Sequence, residues 1–256
     1  MKCIILAAGA ATRMRPLTNN LPKCLLPVGG KPILQRAIEH VAAAGIEQIG
    51  LVIGFQSGAI REFVKEQFPS LRIRFIVNPK YESTNNAFSL LMAREFFYAG
   101  SKERNPDSDL LLMDADIVFS PLLLPFFLGE GSPNRIAVRV AGHHDEEEVR
   151  VKIDASGQVL VIGKTTPLSE AYGESIGIEF FSSAAAQRLF ETIEQRVRRG
   201  GGRQEFYEAA FQSMIDMGVR FTAVDVGSFP CIEIDTPEDL RAAEALTKTQ
   251  RDASKD

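Results

Sequence analysis

The apolar positions of this chain fall into two alternating rhythms. Cys3-Ile4-Ile5-Leu6 is a short unbroken apolar run, the pattern of a strand buried on both faces. From Ile33 to Ala44 the apolar residues Ile33, Leu34, Ala37, Ile38 and Val41 recur at helical spacing, and Gly45 follows as a C-terminal cap. Ile49–Ile53 predicts a strand, Gly58–Gln67 a helix, and Leu71–Val77 a third strand that Asn78-Pro79 breaks. Ser83 to Asn86 reads as a helix N-terminus, with the helix running on through Ala93-Arg94-Glu95. Asp109–Met113 and Ser175–Phe181 read as further strands, Ala184–Glu194 and Gln204–Met217 as packing helices. Strands alternating with helices of this length predict βαβ units. The expected fold class is α/β, a three-layer α/β/α sandwich around a mostly parallel, Rossmann-like mixed sheet.

Residues 129–164 change character. Val149–Asp154 and Gln158–Ile162 read as a hairpin turned by Ala155-Ser156-Gly157. The expectation is one domain over 1–247, with a small β insertion at about 129–180 lying over the site, and a frayed polar tail at 248–256. His143-His144-Asp145 and the following Glu146-Glu147-Glu148 read as an acidic, solvated turn rather than a metal cluster.

With 256 residues the chain is long enough to bury a sizeable core. A formal charge of −4 argues against nucleic acid as the main partner. No apolar run is long enough for a membrane span, and Met1-Lys2 leads directly into a strand, so neither a signal peptide nor a span is expected. Cys3, Cys24 and Cys231 form no C-x-x-C pair, which fits a reducing cytoplasm without a disulfide frame or zinc site.

The candidate chemistry starts where the first strand ends. Leu6-Ala7-Ala8-Gly9-Ala10-Ala11-Thr12-Arg13 is a loop of small residues bracketed by two cations, Arg13 and Lys23. Free backbone N–H groups beside fixed positive charge make a phosphate-binding arrangement. It is neither of the two common phosphate loops. Gly9 lacks the partners of G-x-G-x-x-G, and Gly30-Lys31 has Leu25 and Pro32 where the other loop needs Gly and a hydroxyl residue. Ligands of open α/β sheets sit beyond the carboxyl ends of the strands. Two carboxylates are placed there. Asp116 follows the Asp109–Met113 strand in Asp114-Ala115-Asp116, suited to a hard cation such as Mg²⁺. Asp235 ends the strand that precedes Thr236-Pro237, where Thr236 and Asp239 read as a helix cap, and Asp235 can reach the same metal. Asn85 is adequately read as an N-cap, whereas Asn86 and Ser89 offer the mixed donors and acceptors that a nucleobase edge requires. Lys152 and Lys164 are candidate ligands of an acceptor phosphate.

The string L-A-A-G-x-x-T-R-M-x-P-L-T, followed by P-K-x-L-L-P-V-x-G-K-P, resembles the signature of the sugar-phosphate nucleotidyltransferase superfamily. Asn85 to Arg94, Asp114-Ala115-Asp116 and Glu233 to Leu240 are similar to the bacterial phosphocholine cytidylyltransferase group. That resemblance implies that Leu6, Ala7, Ala8, Gly9, Ala10, Thr12, Arg13, Lys23, Asn85, Asn86, Ser89 and Asp114 contact the nucleotide. It implies catalytic roles for Arg13, Lys23, Asp116 and Asp235, with Mg²⁺ on the two aspartates. Lys152, Lys164, Glu174 and Glu233 fall on the acceptor side. The implied reaction is transfer of a nucleotidyl group, cytidylyl from CTP by this resemblance, to a phosphorylated or phosphonate acceptor such as phosphocholine, phosphoethanolamine or 2-aminoethylphosphonate. The partners implied are CTP or another nucleoside triphosphate and that acceptor, with a homodimer also compatible. The competing readings are a sugar-1-phosphate or inositol-1-phosphate nucleotidyltransferase, and a nucleotide-binding regulatory subunit without catalysis. The group usually carries an aromatic residue, often Trp, just before the E-I-D strand, where this chain has Phe229-Pro230-Cys231 and no Trp anywhere.

Overall fold

A computed structural model describes residues 1–100, 108–140 and 148–253, with side chains to 248. The acidic turn expected at His143 to Glu147 lies outside the described residues. The chain opens with β1 (Lys2–Ala7), a small ribbon of β2 (Pro27–Val28) and β3 (Lys31–Pro32), and α1 (Ile33–Ala43). Then come β4 (Gln48–Ile53), α2 (Ser57–Gln67), β5 (Arg72–Val77), α3 (Asn86–Met92) and α4 (Arg94–Tyr98). The middle holds β6 (Leu110–Asp114), β7 (Ile117–Phe119), α5 (Leu123–Gly129), β8 (Asn134–Arg139), β9 (Arg150–Ile153), β10 (Val159–Gly163) and β11 (Gly173–Phe181). It closes with α6 (Ser183–Arg199), α7 (Glu208–Asp216), β12 (Thr222–Asp225), β13 (Cys231–Glu233) and α8 (Pro237–Ala253).

Four parallel strands, β6-β1-β4-β5, form the heart of the main sheet. β11 runs antiparallel to β6, and the sheet continues through β8 and β12 on one path and β9 and β10 on the other. Of residues 129–180, β8, β9, β10 and β11 all belong to this sheet, β9–β10 being the hairpin read from the sequence. The unbroken apolar run of β1 has its reason here. Cys3, Ile5 and Ala7 enter a core layer with α1, α2 and α5, while Ile4 and Leu6 enter the opposite layer with α3, α4, α6 and α7. A sheet covered on both faces has no solvent side to alternate with, and the result is the three-layer sandwich.

Some boundaries differ from the sequence reading. The helix expected to run from Asn86 past Glu95 breaks at Ala93, whose backbone (φ −81°, ψ 0°) turns α4 onto the sheet. The bend lays the Phe96 ring where Gly50 has no side chain: a Cβ there would stand 2.6 Å from it. The helix expected from Gln204 begins only at Glu208, because Tyr207 gives its N–H to the Asn86 side chain instead of to a helix. The helix expected at Ala184–Glu194 runs on to Arg199, and the tail expected to fray continues in α8 to Ala253.

A third apolar cluster positions the site. Met14, Leu26, Val28, Ile33, Val118, Ile234 and Ala243 pack together, drawn from the opening loop, β2, α1, β7, the loop after β13 and α8. Each of these side chains but Ala243 contributes about 1.5–3 kcal/mol on burial, so this cluster binds the phosphate-loop side to the closing segment more strongly than surface ion pairs do. Around it, β7 and β13 pair antiparallel, Glu233 opposite Ile117 and Ile232 opposite Val118, and Ile234 donates its N–H to the Asp116 carbonyl at 2.9 Å. That pairing brings two distant carboxylate segments face to face.

Candidate active site

Beyond β1 the backbone stays close to its neighbours: Phe55 donates to the Ala8 carbonyl, and Ala115 to the Leu6 carbonyl, both at 3.1 Å. A Cβ at Gly9 would meet no protein atom within 4 Å, so its absence keeps that wall of the cleft low. Ala11 takes a left-handed conformation (φ 45°, ψ 53°), held by Thr18 Oγ1, which donates to its carbonyl at 2.8 Å. This strained turn starts the single 3₁₀ turn Thr12–Met14 and throws Arg13 toward the cleft. A second 3₁₀ turn, Lys23–Leu25, follows Pro22.

Two connected cavities, about 280 and 290 Å³, share Leu6, Gly9, Arg13, Lys23, Asp116 and Asp235. Ala7 and Thr12 line the first; Ala8, Asn85, Asn86, Ser89, Asp114 and Glu233 line the second. Of the expected nucleotide contacts, only Ala10 lines neither. At the junction, Lys23 Nζ stands 2.6 Å from Asp116 Oδ2 and 2.8 Å from Asp235 Oδ1, and Arg13 Nη2 is 3.0 Å from Asp235 Oδ2. Burial works against the Lys23 charge, but Asp116 and Asp235 outweigh it and hold the ammonium above the ordinary lysine range. Burial likewise opposes the Asp235 charge, and Lys23, Arg13 and Lys164 overcome it, keeping that carboxyl below its ordinary value. Both members of the pair are therefore charged at neutral pH. Asp239 closes a cap beneath them: its Oδ2 accepts from the N–H groups of Asp235 and Thr236, and its own N–H bonds Thr236 Oγ1 at 3.2 Å. That cap fixes the backbone from which Asp235 projects.

Asp116, Glu233 and Asp235 each bring one carboxylate oxygen within 4.8 Å of the others. Asp116 Oδ1 is buried and has no hydrogen-bond partner among the described residues. Glu233 opens to the cleft but protein encloses it elsewhere; this enclosure, then Asp116 and Asp235, push its carboxyl up to about 8. Asp114 is enclosed and raised by burial first, then by Asp116 and Glu233, and accepts from Tyr207 Oη at 2.7 Å.

The acceptor-side candidates separate. Glu233 is in the cleft. Lys164 lies 4.5 Å over the Phe206 ring, which lines the second cavity. Glu174 instead pairs with Arg139, which donates to the Cys231 carbonyl at 3.0 Å, so it braces β13 from behind. Lys152 pairs with Glu170 on the exposed hairpin and lines neither cavity. Tyr81, Thr84 and Phe206 line the second cavity and were not singled out from the sequence. A lone aromatic or hydroxyl residue in a loop carries no pattern of its own.

Behind the cleft, burial raises Glu208 to about 7, and its Oε2 has no partner among the described residues. Between its ordinary value of 4.5 and about 7 only the unfolded chain ionises, so stability falls as pH rises through that window. Glu208→Gln is expected to melt higher than the parent at pH 8, by up to roughly 3 kcal/mol, and to match it near pH 4. An equal difference at both pH values would contradict this.

Among the described residues no helix is long and apolar enough to cross a membrane. Fold and site together set two cations against a cluster of carboxylates at the open end of a parallel sheet. The chain belongs to the nucleotidyl transferase family, whose model matches residues 2–130. It is 26% identical over 255 residues to a CMP-5'-(3-aminopropyl)phosphonate synthase of Streptomyces rubellomurinus, covering 95% of this chain but only 38% of that protein. It is 27% identical to a choline-phosphate cytidylyltransferase of Streptococcus pneumoniae, covering 98% of this chain and all of the relative. Among solved structures, the inositol-1-phosphate CTP transferase from T. maritima superposes with a TM-score of 0.78 at 20% identity, over 96% of this chain and 95% of the other, a likeness of fold.

Proposed function

We propose that this chain is a cytidylyltransferase, moving the cytidylyl group of CTP to a small phosphorylated or phosphonate acceptor with release of pyrophosphate. The observation that carries the reading is the junction of the cleft, where Lys23 and Arg13 meet Asp116 and Asp235 beside the small-residue loop. The carboxylate set fits Mg²⁺: three carboxylates with oxygens within mutual reach, and on Asp116 a buried oxygen that has no partner among the described residues, are the donors a hard cation takes. Asp116, Asp235 and Glu233 would hold it, and when bound it supplies charge neutralisation at phosphoryl oxygens.

An acceptor oxygen on phosphate or phosphonate is anionic near neutral pH and needs little general-base help. It attacks the α-phosphorus in line; the new P–O bond forms as the bond to the β-phosphate oxygen breaks, and pyrophosphate carries off the electron pair. The chain's contribution is alignment and neutralisation: Lys23 at the α-phosphate, Arg13 along the leaving phosphates. The acceptor we favour is one that ends in an ammonium. The relatives named for aminopropylphosphonate and choline phosphate support that choice of acceptor.

The test is pyrophosphate release with Mg²⁺, each nucleoside triphosphate against a panel of amino-alcohol phosphates, aminoalkylphosphonates, inositol 1-phosphate and sugar 1-phosphates. Release with CTP and an amine-bearing acceptor is expected. Release only with UTP, dTTP or GTP and a sugar phosphate would overturn the cytidylyl reading. Nucleotide binding with no release from any pair would favour a regulatory subunit.

A further inference from the structure

Where the two cavities join, the chain's own cations already hold most of the aspartate oxygens. Asp116 and Asp235 bring four. Lys23 Nζ holds Asp116 Oδ2 at 2.6 Å and Asp235 Oδ1 at 2.8 Å, and Arg13 Nη2 holds Asp235 Oδ2 at 3.0 Å. The fourth, Asp116 Oδ1, is buried and has no hydrogen-bond partner among the described residues. A divalent ion bridging the two aspartates therefore has to use at least one oxygen that Lys23 or Arg13 holds. Each carboxylate oxygen has a second lone pair, so geometry alone permits sharing. Charge works against it. Two cations stand against two carboxylates, and a divalent ion added to them leaves two positive charges in excess, or one when Glu233 is counted as ionised. A magnesium–oxygen bond is about 2.1 Å, so on a shared oxygen the ion and the ammonium would lie within about 5 Å of each other and repel. The two cations are not equivalent. Lys23 pairs with both acids and its side chain is 13% exposed, whereas the Arg13 side chain is 54% exposed and screened by water. Lys23 also lines both cavities, and its flexible four-carbon stem lets Nζ move without the backbone.

We propose that Lys23 is an exchangeable counter-ion of the two aspartates: it holds their oxygens until the phosphates of a nucleotide draw it away, and Asp116 and Asp235 then pass to the divalent ion. The inference rests on the cytidylyltransferase reading above, which supplies CTP and Mg²⁺ as the ligands. Nucleotide and metal bind cooperatively through this exchange. The phosphates bring the negative charge that the junction lacks, and by taking the ammonium they release the oxygens that the ion needs. Coupling of this kind is reciprocal, so the ion strengthens nucleotide binding by the same factor. Without nucleotide, the ammonium makes the acids a poor site for a divalent ion.

The experiment titrates Mn²⁺ into the intact chain without nucleotide and follows the free ion by electron paramagnetic resonance. Lys23→Met keeps the stem and removes the ammonium. It is expected to bind Mn²⁺ about ten-fold more tightly than the parent, or better, within the usual range of coupled sites, even as turnover falls. Arg13→Met removes an equal charge from a more exposed place and is expected to gain clearly less. Lys23→Gln carries the test should Lys23→Met lose the far-UV circular dichroism of the parent. Equal gains in Lys23→Met and Arg13→Met would mean that the acids respond to total charge alone. Unchanged, weakened or undetectable Mn²⁺ binding in Lys23→Met would mean that the ammonium holds no oxygen the ion needs. Either result overturns the exchange. Turnover of the parent with CTP and Mg²⁺ is measured separately, and its presence leaves the cytidylyl reading standing through both. A parent without turnover on any acceptor overturns that reading, whatever the titration shows.

Discussion

Replacing Lys23 by alanine is expected to lower kcat by about 10²- to 10³-fold, the usual loss when one preorganised charge is taken from a transition state. Its side chain is only 13% exposed and bridges Asp116 and Asp235, which keep it charged despite burial. Without it, the α-phosphate oxygens of the proposed reaction would lose their cationic partner, and the carboxylates face one another with one counter-ion fewer. Far-UV circular dichroism at 25 °C should remain that of the parent, because the sheet and both core layers lie elsewhere. Arginine should not restore turnover, since a planar guanidinium is wider than the ammonium held between Asp116 Oδ2 and Asp235 Oδ1. Near-parental kcat in Lys23→Ala would remove the central assumption of the proposed chemistry.

The second large effect is expected at Asp116. Asp116→Asn keeps the side-chain volume and the backbone acceptor for Ile234 but removes the carboxylate charge. Binding of Mn²⁺ in the presence of CTP, followed by electron paramagnetic resonance, should weaken by more than the 10- to 100-fold typical of losing a mere outer-shell partner. Turnover should fall in step, as it should in the parent on chelation, with recovery when Mg²⁺ is returned. Unchanged Mn²⁺ affinity in the variant would mean that the cation, if used, is held elsewhere.

The parts of this molecule written in local pattern were legible before any fold was known. The unbroken run in β1, the period of α1 and the small-residue loop with Arg13 and Lys23 each declare themselves within a few residues. Asp116 and Asp235 could be singled out because each stands just past a strand, and strand ends are where such sheets bind ligands. What escaped was set by contacts between distant segments. Nothing around Tyr207 says that its N–H leaves the coming helix for Asn86, so the start of α7 was placed four residues early. Lys152 looked as good a phosphate ligand as Lys164, and only the hairpin's geometry gives one to Glu170 and the other to the ring of Phe206. Glu174 was assigned to the acceptor, whereas Arg139, from the neighbouring strand, claims it. The break at Ala93 answers to a glycine on another strand, which helix propensity cannot register.

The pairing of β7 with β13 also has a temporal consequence. A ribosome delivers the loop with Arg13 and Lys23, then Asp116, long before Cys231 and Asp235, and a domain generally folds as a unit. A nascent or clipped chain ending ahead of Cys231 holds one carboxylate of three and lacks Ile234 and Ala243, the closing segment's share of the third apolar cluster. Closing the ribbon draws ends together across a long intervening stretch, whose entropic cost grows slowly with length. Assembly of the junction therefore waits for the last segment of the chain to be made.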